Sequence, residues 1–160
     1  MRKVLIVLVA FLLICSVTNV QAYFKIADPA TADGAGNIKI PVYNNSGSAL
    51  DVGDVVIWDI GEATGDDDLY VTTTTTANTG LVAGVVSAAI ASASTGSIIT
   101  YGLAECDIGS ATITGAGIPL CTSGTEGNGT NCTDASQAYA ISSAAIAANA
   151  QGNCFVIKNK

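Results

Sequence analysis

The chain has 160 residues, carries 13 acidic against 6 basic side chains, and contains no histidine. The net charge of −7 argues against nucleic acid as a partner, because surfaces that bind nucleic acid are basic. The lack of histidine removes the usual general base of hydrolases, and an aromatic content of 6% offers few side chains to line a sugar-binding groove. We therefore predict that the chain is not an enzyme, with a hydrolase that uses paired carboxylates as the open alternative.

The first 22 residues have the organisation of a secretory signal peptide. Two basic residues precede an apolar run over residues 4–15, and polar residues follow the run. Cleavage after Ala22 would leave a mature chain that begins at Tyr23. A retained membrane anchor would need about 20 apolar residues, and a lipoprotein modified at Cys15 would need a small residue before that cysteine. We predict a secreted protein, extracellular or on the cell surface, with no membrane span in its mature part.

Removal of this signal peptide would leave four lysines against 13 acids, a net charge of −9, and an even number of cysteines. An even set of cysteines in an exported chain predicts two disulfides. The four cysteines are Cys106, Cys121, Cys132 and Cys154. Three pairings are possible, and the polar stretch between Cys121 and Cys132 favours that pair, which leaves the other two for each other. A zinc site is the competing interpretation, but neither a Cys-x-x-Cys pair nor a histidine supports it.

The mature chain would begin with a short, mostly apolar segment. This segment consists of Tyr23, Phe24, Lys25 and Ile26. Residues 23–36 are predicted to form either an arm that adds a strand to a neighbouring subunit or a first strand packed on the chain's own domain. Exchange of such an arm along a row of copies would let each subunit complete the sheet edge of the next.

Residues 37–160 are predicted to form a single β domain. Five runs of β-forming residues bounded by turn residues predict strands. The runs cover residues 37–43, 55–58, 70–76, 81–86 and 97–101. Pro41 suggests that the first of them lies at a sheet edge. The regular spacing and the glycine-bearing turns favour an all-β fold, a small barrel or a sandwich. Two alanine-rich pieces, residues 87–93 and 142–150, are too short to predict stable helices and are expected to be connections.

These alanine-rich pieces also resemble each other. The sequence of residues 87–91 recurs at 143–147, and Gly96 recurs as Gly152 at the same offset of 56 residues. A β-forming run follows each glycine, so the pattern predicts an internal duplication. The repeat-like halves span about residues 49–102 and 115–159.

Three segments carry a resemblance to a known protein family. Residues 49–58 contain Gly-Asp-Val-Val, residues 80–102 contain Val-Ala-Gly-Val-Val and Ile-Ile-Thr-Tyr-Gly, and residues 115–157 contain the second copy. With these motifs the chain resembles the small β-barrel capsid-decoration, or cement, proteins of tailed phages.

The resemblance implies a subunit that binds a repeated protein lattice. The predicted signal peptide and the four mature cysteines depart from that family, whose members are made inside a host cell. An exported version would most naturally build a filament, tube or surface coat from copies of itself. A secreted monomeric adhesin or carbohydrate-binding module is the alternative.

The densest polar feature is an acidic turn over residues 59–68, between two predicted strands. Its carboxylates at Asp66, Asp67 and Asp68 could bind calcium, which prefers several oxygen ligands. A solvated loop tip is the competing interpretation, and no other cofactor is predicted.

Two further surface features are predicted. Asn44, Asn128 and Asn131 begin acceptor triplets for N-linked glycosylation. The run of five threonines over residues 72–76 is expected to form an exposed strand, with binding to a regular lattice as the alternative.

Overall fold

The computed structural model describes residues 31–32, 36–61 and 69–157, and the predicted signal peptide lies outside them. The described residues form ten β-strands and a 3-10 turn at Ala135–Gln137, with no α-helix among them. The strands are β1 (Thr31–Ala32), β2 (Ile38–Asn44), β3 (Val55–Trp58), β4 (Tyr70–Thr72), β5 (Val82–Val86), β6 (Thr95–Asp107), β7 (Pro119–Thr122), β8 (Gly129–Asn131), β9 (Ala140–Ser142) and β10 (Gln151–Val156). The prediction of an all-β fold is confirmed.

The first half closes into a five-stranded barrel. The strands follow each other in the order β2, β4, β3, β5 and β6, and pairing of β6 with β2 completes the ring. The pairs are antiparallel except for β2 with β4, which run parallel where Tyr43 lies opposite Tyr70. Of the two predicted architectures, the structure therefore has the barrel.

Strand β6 is long enough to serve both halves of the molecule. Its residues 95–101 pair with β2 in the first barrel, and its residues 102–107 pair with β10. From β10 a second sheet continues through β9 and β7 to β8. A parallel bridge between Ile108, next to the end of β6, and Gly129 in β8 joins the two edges of this second sheet.

The two halves share their strand register. In the first barrel Val55 of β3 lies opposite Val85 of β5, and in the second sheet Pro119 of β7 lies opposite Ile141 of β9. The connections that follow β5 and β9 are also alike, since each is closed by an isolated antiparallel bridge. The bridges join Leu50 to Ile90 and Ile113 to Ile146. The corresponding strand pairings begin at β2 in the first half and at Gly102 in the second. Both starts lie before the predicted halves, about residues 49–102 and 115–159.

Three strands of the first barrel are buried on both faces, which explains their nearly continuous apolar sequences. Their alternate side chains divide between two cores. The barrel core contains Val56, Val86 and Ile98, and the second core contains Val55, Val85 and Ile99. The outer face of the first barrel is thus packed against the second half.

Both disulfides have the predicted pairing. Cys106 in β6 is bonded to Cys154 in β10, with 6.0 Å between their Cα atoms, and this bridge lies inside the second core. Cys121 in β7 is bonded to Cys132, just after β8, with 4.9 Å between the Cα atoms. All the covalent cross-links of the described residues therefore stabilise the second half.

Two strand predictions differ from the structure. The prediction that Pro41 marks an edge is wrong, because β2 has β6 on one side and both β1 and β4 on the other. Pro41 falls between the residues that pair with β1 and those that pair with β4, where a missing N–H costs no ladder hydrogen bond to either strand.

The predicted threonine-rich strand ends as β4 at Thr72. The chain then crosses to the second half, where the Thr122 hydroxyl donates to the Thr76 carbonyl at 2.9 Å and accepts from the Thr79 N–H at 2.9 Å. The threonine run therefore connects the two halves instead of extending the sheet.

Candidate assembly surface

An exposed apolar strip crosses the outside of β2, β6 and β10. The exposed fractions are 37% for Ile38, 46% for Tyr101 and 54% for Leu103. Ile38 lies opposite Tyr101, and Leu103 lies opposite Phe155, so these four side chains form neighbouring cross-strand pairs. The Tyr101 and Phe155 rings meet edge to face, with their centroids 5.1 Å apart. We call these four residues the apolar strip.

A buried amide supports the strip at the point where β6 passes from the first barrel to the second sheet. The Asn37 Oδ1 accepts a hydrogen bond from the Leu103 N–H at 2.7 Å. Gly102 has a φ of +114°, and a Cβ at this position would overlap Asn37. Glycine therefore allows the close approach that fixes Leu103 and Tyr101 on one continuous surface.

Strand β1 borders the strip on the other side of β2. Ala32 lies opposite Ile38, and Thr31 lies opposite Lys39. The chain traced from Ala32 back to Thr31 therefore moves along β2 away from Tyr101 and the rest of the strip. The predicted arm residues Tyr23, Phe24, Lys25 and Ile26 lie outside the described part of the chain.

Three further exposed apolar side chains lie next to the ends of β3, β4 and β5. Ile60 is 76% exposed, Leu69 48% and Leu81 47%. Ile60 and Leu69 flank residues 62–68, which contain the predicted calcium ligands Asp66, Asp67 and Asp68 and lie outside the described residues. Of the residues that are described, no three His, Cys, Asp or Glu side chains are grouped so that they could hold a metal ion.

Carboxylates from the two halves approach each other where β6 ends. The Asp54 carboxylate accepts a hydrogen bond from the Asp51 N–H at 2.8 Å. The pKa of Asp54 is raised from 3.8 to about 6. Burial is the main cause, the hydrogen bond from the Asp51 N–H lowers the pKa, and the Asp107 carboxylate raises it. Burial also raises the pKa of Asp107, against the lowering effect of a hydrogen bond from Gln151. Burial of these carboxylates, with a smaller contribution from their mutual repulsion, weakens folding near neutral pH.

A cavity of about 650 Å³ lies between β5, β10 and the 3-10 turn. Its lining mixes hydroxyl, amide and aliphatic groups, including Thr79, Val82, Thr100, Gln137 and Val156. Tyr139 also borders it, but its hydroxyl is buried with no hydrogen-bond partner among the described residues, and burial raises its pKa. No described lining residue pairs a nucleophile with a general base.

Asn44, one of the three predicted glycosylation positions, is fully buried at the end of β2. Its Nδ2 donates to the carbonyls of Ser48 at 2.8 Å, Ile90 at 3.1 Å and Ala91 at 3.1 Å. A glycan on this nitrogen would displace these hydrogen bonds inside the fold. The amide instead fixes the first alanine-rich connection, a role that the sequon pattern does not reveal.

The other two sequons lie at the surface of the second half. Asn131 is exposed in β8, whereas Asn128 is half-buried and donates from its Nδ2 to the Glu126 carbonyl at 3.1 Å. Asn131 is thus the more accessible position for a glycan.

Within the described residues, no helix has the length and apolar character needed to cross a membrane.

Comparison with known proteins gives a likeness in fold alone. No family model matches the chain, and no curated protein matches its sequence. Among solved structures, the chain is similar to the N base of head fibre gp8.5 in bacteriophage phi29. The two share 14% sequence identity and a TM-score of 0.54, over 77% of this chain and 98% of that chain. The likeness agrees with the phage-type β fold implied by the sequence motifs, and the similar protein is a structural component of a phage.

Proposed function

We propose that the chain is a secreted structural subunit that assembles with copies of itself into an extracellular filament, tube or surface coat. Exchange of the N-terminal strand between copies is the proposed means of assembly. The proposal extends the coarser conclusion that the fold is one used by a phage structural protein.

The apolar strip is the observation that carries this proposal. Its four side chains lie side by side on the sheet surface of an acidic chain, and a contiguous apolar patch of this kind marks an interaction surface. Among the described residues, closure of the first barrel leaves few free strand edges, so an arm added from another copy is favoured over edge-to-edge pairing of whole subunits.

Two other features support a role outside the cell. The two disulfides are cross-links that persist in oxidising compartments. The signal-peptide pattern of residues 1–22 provides the export route. The similarly folded base of a phage head fibre is a precedent for this fold within a fibre.

Negative-stain imaging and light scattering of the chain from Tyr23 to Lys160 test the proposal. We expect ordered polymers whose mass rises with protein concentration. Deletion of residues 23–27 should reduce polymer yield at least tenfold while the thermal unfolding transition is retained. Discrete monomers over the whole concentration range would contradict the proposed function, and unchanged polymer yield after the deletion would reject strand exchange.

A further inference from the structure

We infer that the apolar strip is the docking site for the N-terminal segment of a second copy of the chain, residues 23–26. This inference rests on the proposed function and specifies which surface of one subunit receives the arm of the next.

The direction of β1 favours a second copy as the donor. Because Thr31 lies opposite Lys39 and Ala32 opposite Ile38, the chain leaves β1 on the side of β2 remote from β6 and heads away from Leu103. The eight residues from Tyr23 to residue 30 can span about 26 Å when extended. An arm that continued in this direction would extend away from the strip of its own subunit, so the strip of a neighbouring copy would receive it.

The two surfaces match in apolar character. The strip offers two aromatic rings in edge-to-face contact beside two aliphatic side chains. The donor segment offers Tyr23, Phe24 and Ile26, and burial of aromatic side chains contributes strongly to association.

The charges match as well. Tyr101, Leu103 and Glu105 are alternate exposed residues of β6 and therefore share one face of the sheet. Lys25 is one of only four lysines after residue 22, in a chain with 13 acids. Contact between Lys25 and Glu105 would fix the position of the arm along the strip.

A donor surface that differs from its receptor surface has a consequence for symmetry. Such a head-to-tail contact is heterologous, and repetition of it gives an open filament or a ring instead of a closed two-fold dimer. The inferred contact thus accounts for an extended assembly with a single type of subunit.

Photo-crosslinking with isotope labelling tests the inference on the chain from Tyr23 to Lys160. Unlabelled protein with Phe24→p-benzoyl-Phe is mixed with an equal amount of ¹⁵N-labelled wild-type protein and irradiated. We expect the probe to be linked to ¹⁵N-labelled peptides that contain Tyr101 and Leu103. Links to these peptides only within one chain, links to another surface, or no links would each overturn the docking site.

Matched variants provide the second measurement. Leu103→Ser should reduce the crosslink yield about tenfold, whereas Leu81→Ser removes a similarly exposed leucine from outside the strip and should leave the yield unchanged. Glu105→Lys should lower the yield about threefold at low salt, and combination with Lys25→Glu should restore it.

The two proposals can fail separately. Polymers whose arms are linked to another surface would overturn the docking site and leave the proposed function standing. A chain that stays monomeric would contradict the proposed function, and a link from its arm to its own strip would at the same time overturn the assignment to a second copy.

Discussion

The first barrel and the second sheet repeat the same strand order and register, yet their interiors are stabilised differently. In the barrel, Val42 of β2 lies opposite Gly96 of β6, and in the second sheet Cys106 lies opposite Gly152. Both glycines are needed for the same reason. A Cβ at Gly96 would overlap Ile90, and a Cβ at Gly152 would overlap Ile146. The connection that carries each isoleucine can therefore fold over its sheet only where the sheet has no side chain.

The interiors differ at the residues opposite these glycines and at the residues two positions after them. Val42 and Ile98 are fully buried in the barrel core, and the corresponding positions of the second core hold the disulfide-bonded pair Cys106 and Cys154. A common backbone register thus accepts either an aliphatic pair or a cystine. We propose that the two halves derive from duplication of one unit, and that a disulfide has replaced part of the aliphatic packing in the second.

The largest expected effect comes from removal of this disulfide. Cys106→Ala with Cys154→Ala should lower the free energy of unfolding by about 4 kcal/mol, because the bond closes a loop of 48 residues. Cys106→Val with Cys154→Ile introduces the residues of the first barrel and should recover about 1–2 kcal/mol of that loss through apolar burial. Denaturant unfolding measures both.

The same measurement on the other disulfide is the control. Cys121→Ala with Cys132→Ala should cost about 3 kcal/mol, since its loop spans 11 residues. If the Val/Ile variant were as unstable as the Ala/Ala variant, the two cores would not accept the same side chains.

Substitution of the two glycines should give the next largest effect. Gly96→Ala and Gly152→Ala should each lower the free energy of unfolding by about 2 kcal/mol, because both overpack an isoleucine of the adjacent connection. Gly115→Ala is the matched control, since no atom lies within 4 Å of its Cβ position, and it should change stability by less than about 0.5 kcal/mol. A difference of more than about 1 kcal/mol between Gly96→Ala and Gly152→Ala would show that the connections are packed unequally.

Much of this comparison was accessible from the sequence, because it depends on local patterns. The repeat of residues 87–91 at 143–147 marked both connections, and the polar stretch between Cys121 and Cys132 marked their disulfide. β-Branched runs identified β3 and β5 closely. Local propensity is sufficient for a strand that is apolar along its length and pairs within a single sheet.

The remaining features depend on contacts between distant residues. Strand β6 exceeds its predicted length because its second part pairs with β10, about 50 residues away. The apolar strip joins residues of β2, β6 and β10 that no short window of sequence brings together. Asn44 matched a glycosylation pattern, but its environment is set by Ile90 and Ala91 across the barrel.

Asp54 directly precedes β3, and Ile118 directly precedes the corresponding strand β7. Ionisation at this position therefore distinguishes the first half from the second, and it can be tested by varying the pH. The folded-state pKa of Asp54 is raised from 3.8 to about 6, so the folded chain binds more protons than the unfolded chain within that window. Stability should therefore fall as the pH rises from about 4 to 7. Asp54→Asn should raise the free energy of unfolding at pH 7.5 by about 1 kcal/mol, a figure discounted for the partial exposure of the group, and by less at pH 4.5.

Thermal unfolding of both proteins across pH 4–8 measures this difference. Because Asn keeps an oxygen that can accept from the Asp51 N–H, the local turn should be retained. An equal gain at pH 4.5 and pH 7.5 would show that the effect does not come from ionisation of Asp54.

The smallest expected effect comes from exchanging the residues at one position in the turns of the two connections. Ala93 and Asn149 occupy equivalent positions with φ of 54° and 53°. A left-handed conformation costs alanine about 1 kcal/mol, whereas asparagine adopts it more readily. Ala93→Asn should therefore stabilise the protein by about 0.5 kcal/mol, and Asn149→Ala should destabilise it by a similar amount. Opposite and equal shifts in denaturant midpoint would show that the turns are interchangeable. Shifts of the same sign would mean that contacts of the side chain, and not backbone conformation, determine which residue each turn accepts.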